Sequence, residues 1–206
     1  MKIKTVNFPN DPVTYFAPTW NQLDTLVFLL SKVIIQNNKQ YNIQFDRVVT
    51  LAKGGWPMVR PLVDYIQATE VASIGLKYYS GINERLKEPE VYQDIPVDIT
   101  GETLLLFDDV ADTGESIAFT KKYLESRGAK KIYTATLFYK DHSSIVPDFY
   151  GKETDTWIIF PYELRETLTI LAKKWKKAGI EKQEIIERFI QFGFEKNAIE
   201  YFYFLV

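Results

Sequence analysis

Leu104, Leu105, Leu106 and Phe107 form an apolar run with no helical spacing that stops abruptly at Asp108 and Asp109. A strand covered on both faces has no polar side to show, so the run predicts a buried strand tipped by two carboxylates. Asp112, Thr113, Gly114, Glu115 and Ser116 come next, small or polar and suited to a turn, and lead into the helical spacing of Ile117, Phe119, Tyr123 and Leu124. The predicted order is strand, loop, helix N-terminus. The helix should continue to Arg127, with Gly128 as its C-terminal cap.

Similar patterns fill most of the chain. Pro9, Pro12 and Pro18 make residues 1–18 an irregular arm, after which Thr19 is the expected N-cap of a helix. Its apolar positions are Trp20, Leu23, Leu26, Val27, Leu30, Val33 and Ile34, and Asn37 and Asn38 mark the turn behind it. Residues 45–51 predict a strand, Arg47 aside, and 57–66 predict a helix. Residues 71–79 and 131–139 read as further strands, while 80–89 are polar, carry Arg85 and Lys87, and predict a surface hairpin. Strands alternating with helices define an α/β class with a mainly parallel twisted sheet flanked by helices.

From Leu164 the composition shifts. Leu164, Leu168, Leu171, Ala172, Trp175 and Ala178 keep helical spacing up to Gly179. Ile185, Ile186, Phe189 and Ile190 do so up to Gly193, and Ala198, Ile199, Phe202 and Leu205 repeat it. Helices this short are not stable alone, so they should pack as a three-helix bundle. The expected division is 1–163 as the main domain and 164–206 as a helical extension packed on it.

Composition narrows the chemistry. A chain of 206 residues, 46% hydrophobic and 15% aromatic, can bury a sizeable core. A net charge of -2 gives no general pull toward nucleic acid or an anionic membrane, so neither is an expected partner. With no cysteine and one histidine, disulfides, thiolate catalysis and histidine metal clusters are excluded. The N-terminus lacks the apolar core of a signal peptide, and no run approaches the roughly 20 apolar residues a membrane span needs. The expected location is the cytoplasm.

Any anion must therefore be held by local geometry. The bend 112–116 turns backbone N–H groups inward and adds hydroxyls at the positive end of a helix, which suits a phosphate dianion. Asp108 and Asp109 could accept hydrogen bonds from vicinal ribose hydroxyls or help hold a hydrated metal ion, so one compact site would bind a sugar 5-phosphate. No Gly-Lys-Ser/Thr of a nucleotide P-loop is present, and the acids lack the spacing of an aspartyl-phosphatase.

The stretch 104–116 resembles the signature of the type I phosphoribosyltransferases, an apolar strand, two acids, two small or apolar residues, then Asp-Thr-Gly-x-Ser/Thr. The resemblance implies that fold and a donor substrate, 5-phosphoribosyl pyrophosphate (PRPP). Asp108 and Asp109 would take the ribose, and Ala111, Asp112, Thr113, Gly114, Glu115 and Ser116 the 5-phosphate, with Asp112 also the general base. Ala52, Lys53 and Gly54 resemble the pyrophosphate loop of purine enzymes, in which the bond before the lysine is often cis. Lys53 would then be catalytic, Lys77 would contact pyrophosphate, and 80–89 would close over the site.

Lys140, Trp157 and Ile158 resemble the purine pocket of the 6-oxopurine enzymes, with the lysine on the exocyclic group, the aromatic stacked on the base and the backbone on its edge. His142 is read as a loop histidine, not a catalyst. The family also implies Mg²⁺, carried largely by PRPP and water near Asp109 and Glu163, and a homodimer. The small-molecule partners are PRPP, a purine base, the nucleoside monophosphate and pyrophosphate.

The extension after Glu163 departs from ordinary 6-oxopurine enzymes and looks like the helical addition of crenarchaeal adenine phosphoribosyltransferases. Lys140 argues for a 6-oxopurine, but Asp141 supplies an acceptor that the adenine amino group would need. The expected base is adenine, giving AMP, with hypoxanthine, guanine or xanthine as the alternative. A regulator that senses PRPP without turnover is a further alternative, disfavoured because the sequence shows no basic nucleic-acid-binding surface and retains Lys53, Asp112 and the residues of a base pocket.

Overall fold

The structure is a computed structural model that describes residues 5–79 and 85–205. The chain packs into two compact units, Met1–Leu23 with Thr156–Val206, and Asp24–Asp155. The boundary expected at 163/164 is therefore displaced. The N-terminal arm belongs with the C-terminal helices, for a reason visible in their shared core.

The larger unit is built on a six-stranded sheet in the order β5-β4-β3-β6-β7-β8. Its strands are β3 (Arg47–Ala52), β4 (Val71–Tyr79), β5 (Arg85–Gln93), β6 (Thr103–Ala111), β7 (Lys131–Tyr139) and β8 (Phe149–Glu153). All neighbours pair in parallel except β4 and β5. Buried on both faces, the middle strands read as near-continuous apolar runs, which is why they were recognisable. The exception in β3, Arg47, is buried and forks onto Glu102 with two hydrogen bonds of 2.9 Å, adding Glu70 at 3.2 Å. Residues 85–89, expected in a surface hairpin, lie in β5, which pairs antiparallel with β4, while Ser80–Glu84 fall outside the described residues.

Helices α2 (Trp56–Ile66) and α3 (Glu115–Ser126) follow β3 and β6. Helix α1 (Trp20–Tyr41) starts after Thr19 as expected, with Thr19 Oγ accepting from the Gln22 N–H at 3.2 Å, but it runs through the turn expected at Asn37 and Asn38. Val49, Leu51, Ile74, Leu104, Leu106, Ile117, Leu124 and Ile132 share one core of this unit.

In the smaller unit, β1 (Thr5–Val6), β2 (Tyr15–Phe16) and β9 (Trp157–Ile158) form a three-stranded sheet, so the arm is not wholly irregular. The three expected helices are α4 (Leu164–Lys177), α5 (Lys182–Gln191) and α6 (Lys196–Tyr203). Their apolar faces close over Phe8 and Tyr15 from the arm, with Trp175 at the centre. Phe8 meets Trp175 edge-on at 5.5 Å, and the buried Arg188 guanidinium lies 4.7 Å from the Phe8 ring and 4.8 Å from that of Trp175. Three short helices lacked enough apolar surface to close a core by themselves, and the arm's aromatics supply the remainder.

Asp11 ties this unit together. Its side chain, 2% exposed, accepts hydrogen bonds from Trp175 Nε1 at 2.6 Å, Tyr15 Oη at 2.7 Å and Lys174 Nζ at 2.8 Å. Burial works against its ionisation, but the bonds from Lys174, Trp175, Tyr15 and the Val13 N–H outweigh it and hold the carboxyl well below the ordinary carboxylate range. Burial and the facing Asp11 charge push the Tyr15 phenol up.

Because the folded carboxyl is the stronger acid, its stabilising contribution is fully present above the ordinary value of about 4 and is lost as pH falls below it. Asp11→Asn should lower the free energy of unfolding by about 2 kcal/mol at neutral pH. It should also flatten the loss of stability between about pH 4 and pH 2. Urea unfolding across pH measures both, and an acid limb identical to that of the unsubstituted protein would remove Asp11 from this role.

Candidate active site

Parallel pairing of β3 with β6, with Thr50 opposite Phe107, brings the C-terminal ends of both strands to one edge of the larger unit's sheet. That is where loops of an open α/β sheet gather around ligands. Beyond β3, the Ala52–Lys53 peptide bond is cis, as the resemblance implied. The Trp56 N–H donates to the Lys53 carbonyl at 3.2 Å and the Gly55 N–H to the Leu51 carbonyl at 3.1 Å, which folds the loop tightly.

Both glycines of this loop are required by proximity. A Cβ on Gly54 would stand 2.8 Å from both carboxylate oxygens of Asp109. On Gly55 it would stand 2.2 Å from Thr50 Oγ and 3.1 Å from the Leu51 and Phe107 carbonyls. The expected ribose pair is consequently unequal. Asp109 is 6% exposed and pressed against the Gly54 backbone, whereas Asp108 is half-buried and its carboxylate accepts the Asp109 N–H at 3.0 Å.

Behind β6, Ala111 and Gly114 are buried while Asp112, Thr113 and Glu115 are exposed and Ser116 is half-buried. Gly114 sits at φ 79°, a left-handed conformation that lets the chain reverse into α3. The first turn of α3 has no intrahelical acceptors for its N–H groups, and no side chain caps it at Gly114; the Glu115 N–H leans on Thr113 Oγ at 3.4 Å. The bend thus presents backbone donors and a hydroxyl at the positive end of a helix dipole.

The loop after β7 fastens this bend from outside. The Lys140 N–H donates to the Ala111 carbonyl at 3.0 Å, and Ser144 donates through both its N–H, at 2.9 Å, and its hydroxyl, at 2.8 Å, to the Thr113 carbonyl. Between them, Asp112 Oδ1 receives Lys140 Nζ at 3.1 Å and His142 Nε2 at 2.9 Å. Lys140 is 12% exposed at its side chain, so its ammonium is held largely out of water.

The structure therefore brings Lys53, Gly54, Asp108, Asp109, the bend 111–116 and Lys140 together in one unit. Lys77, exposed on β4 opposite Glu90, belongs to the same unit. Trp157, Ile158 and Glu163 belong to the smaller unit. Trp157 is 45% exposed, so it is no core tryptophan. The Trp157 and Ile159 N–H groups donate to the Thr14 and Phe16 carbonyls, at 2.9 and 2.8 Å. Alternation along β9 turns the N–H and C=O of Ile158 away from β2, outward from the sheet edge. Glu163 is half-buried at the start of α4.

Two residues here escaped the sequence reading. His142 bonds Asp112 directly, a role its place two residues after Lys140 hinted at. Ser144 had no sequence signal, because its importance lies in reaching a carbonyl that is 31 residues distant.

The sequence model of the phosphoribosyl transferase domain matches residues 19–167. The chain belongs to this family, and it has the type I phosphoribosyltransferase fold. It is similar to the xanthine-guanine phosphoribosyltransferase of Gluconobacter oxydans (strain 621H), 26% identical over 161 residues, which are 77% of this chain and 90% of the relative. A hypoxanthine-guanine phosphoribosyltransferase of Streptococcus pyogenes is 25% identical over 112 residues, 54% of this chain, and the match spans 62% of that relative's length. Among solved structures, a purine phosphoribosyltransferase from Pyrococcus horikoshii superposes with a TM-score of 0.62 at 28% identity, covering 72% of this chain and 92% of that one.

Gly55→Ala has backbone on two sides and no room to relax. It should cost about 2 kcal/mol or more of stability, measured by denaturant unfolding. A midpoint equal to that of the unsubstituted protein would show that the loop after β3 is less tightly closed than described.

Proposed function

We propose that this chain is a 6-oxopurine phosphoribosyltransferase, moving the 5-phosphoribosyl group of PRPP onto hypoxanthine, guanine or xanthine and releasing pyrophosphate. The observation that carries the reading is the meeting, on one sheet edge, of the 112–116 bend, the Lys53-Gly54 loop and the Lys140–Asp112 pair. The adenine preference drawn from the sequence gives way here. Asp141, the acceptor on which it leaned, is exposed with Oδ1 3.7 Å from His142 Nδ1, while the well-buried Lys140 is a donor and matches a 6-oxygen. The names carried by the relatives, xanthine-guanine and hypoxanthine-guanine, point the same way.

In this reading the bend holds the 5-phosphate and Asp108 accepts from the ribose hydroxyls. The bond from the sugar's anomeric carbon to pyrophosphate breaks as a bond to a purine ring nitrogen forms, and the proton on that nitrogen passes to Asp112. Positive charge grows on the sugar and negative charge on the leaving group, so fixed electrostatics and orientation supply most of the acceleration. Lys53 faces the leaving group, and its loop backbone is held by the contact of Gly54 with Asp109. Carboxylate and phosphate oxygens are the donor set Mg²⁺ favours, and Asp108 is the more open of the two acids through which water would link the ion to the protein. When bound, the ion neutralises pyrophosphate charge.

Incubation with PRPP, Mg²⁺ and each of adenine, hypoxanthine, guanine and xanthine, with products identified by mass, tests the base. Nucleoside monophosphates from 6-oxopurines are expected; AMP alone would restore adenine, and no product from any base would remove the enzymatic reading. Lys140→Ala should lower kcat/KM for the oxopurine by about tenfold to a hundredfold, as expected when a buried polar contact to the base is lost. Asp112→Asn should lower kcat with folding intact, checked by circular dichroism alongside the assay.

A further inference from the structure

Two donors of different kinds converge on one oxygen of Asp112. Lys140 Nζ and His142 Nε2 both reach Oδ1, at 3.1 and 2.9 Å, and among the described residues no partner is recorded on Oδ2. A carboxylate oxygen only accepts, so Nε2 carries the hydrogen, which settles how the ring is engaged. The other ring nitrogen, Nδ1, is 3.7 Å from Asp141 Oδ1, too long for a hydrogen bond. Asp141, His142 and Asp155 bring their polar atoms within 4.8 Å of one another, so the imidazole bridges an acidic rim on one side and the bend on the other.

Resting on the transfer reaction proposed above, we infer that His142 is a positioning residue for Asp112, holding Oδ1 so that Oδ2 faces the purine nitrogen that loses its proton. One donor is not enough for this task. Lys140 is also the residue that meets the 6-oxygen of the base, and as its ammonium turns to that oxygen its grip on Asp112 loosens. His142 makes no contact with the base in this scheme and keeps the carboxylate oriented through the reaction. The bend is already tied at Ala111 and Thr113 by backbone acceptors, so Asp112 is the one residue of the three whose side chain needs its own anchor.

The experiment separates positioning from mere packing. His142→Ala is expected to lower kcat about tenfold, the loss of one hydrogen bond to a charged group, with KM for PRPP changed less than about twofold. His142→Gln keeps an N–H donor of similar reach and is expected to recover most of kcat, whereas His142→Phe, which keeps only the ring volume, is not. The chain has a single histidine, so its ring C–H resonances are assigned without ambiguity. They are expected to shift in Asp112→Asn relative to the unsubstituted protein. Unmoved ring signals in Asp112→Asn, full kcat in His142→Ala, or equal losses in the Gln and Phe variants would each overturn the inference. If no purine is turned over, the function proposed above fails, and the ring signals still decide whether His142 engages Asp112.

Discussion

The backbone of Gly54 lies against the buried carboxylate of Asp109, so close that no side chain can stand between them. This contact depends on β3 and β6 running parallel as immediate neighbours, which makes their ends emerge at one edge. It joins a cation-bearing loop to an acid-tipped strand in one rigid piece. A carboxylate buried against a peptide stays in place because the sheet beneath is fixed, and β3 and β6 bury apolar side chains on both faces, Val49 and Leu106 on one and Val48, Leu105 and Phe107 on the other.

On the other flank of β6, the loop after β7 grips the bend behind that strand at three consecutive residues. Backbone donors hold Ala111 and Thr113, and two charged or polar side chains hold Asp112 between them. A bend at the start of a helix lacks intrahelical acceptors for its first N–H groups and so is not held in shape by helix bonds of its own. External bonds to the Ala111 and Thr113 carbonyls and to the Asp112 carboxylate hold its shape from outside. The groups engaged from outside are carbonyls and a carboxylate, all of them acceptors.

The smaller unit solves a different problem. Helices α4 to α6 are short and amphipathic, and their core is completed by Phe8 and Tyr15 from a stretch of chain some 150 residues away. Asp11 sits in that core as an ion, satisfied by an indole, a phenol and an ammonium, so charge is tolerated where the hydrogen bonds are complete. The extension is thus an architectural partner of the N-terminal arm.

By itself the sequence determined the alternation of strands and helices, the acid-tipped β6, the bend with its Gly114 turn, and the three C-terminal helices. These features are written in local periodicity and turn chemistry, which act over a few residues. Only the tertiary structure decided that Asp109 is buried while Asp108 is half-buried, that His142 and Ser144 serve the bend, that Arg47 in β3 is neutralised by Glu102 and Glu70, and that the arm shares a core with the helices. Each of these rests on groups brought together from distant positions, where burial and hydrogen-bond geometry, not residue type, set the role. The reading proposed for the base turns from adenine for the same reason, since an aspartate beside a lysine in the chain says nothing of which side chain is buried and which faces solvent.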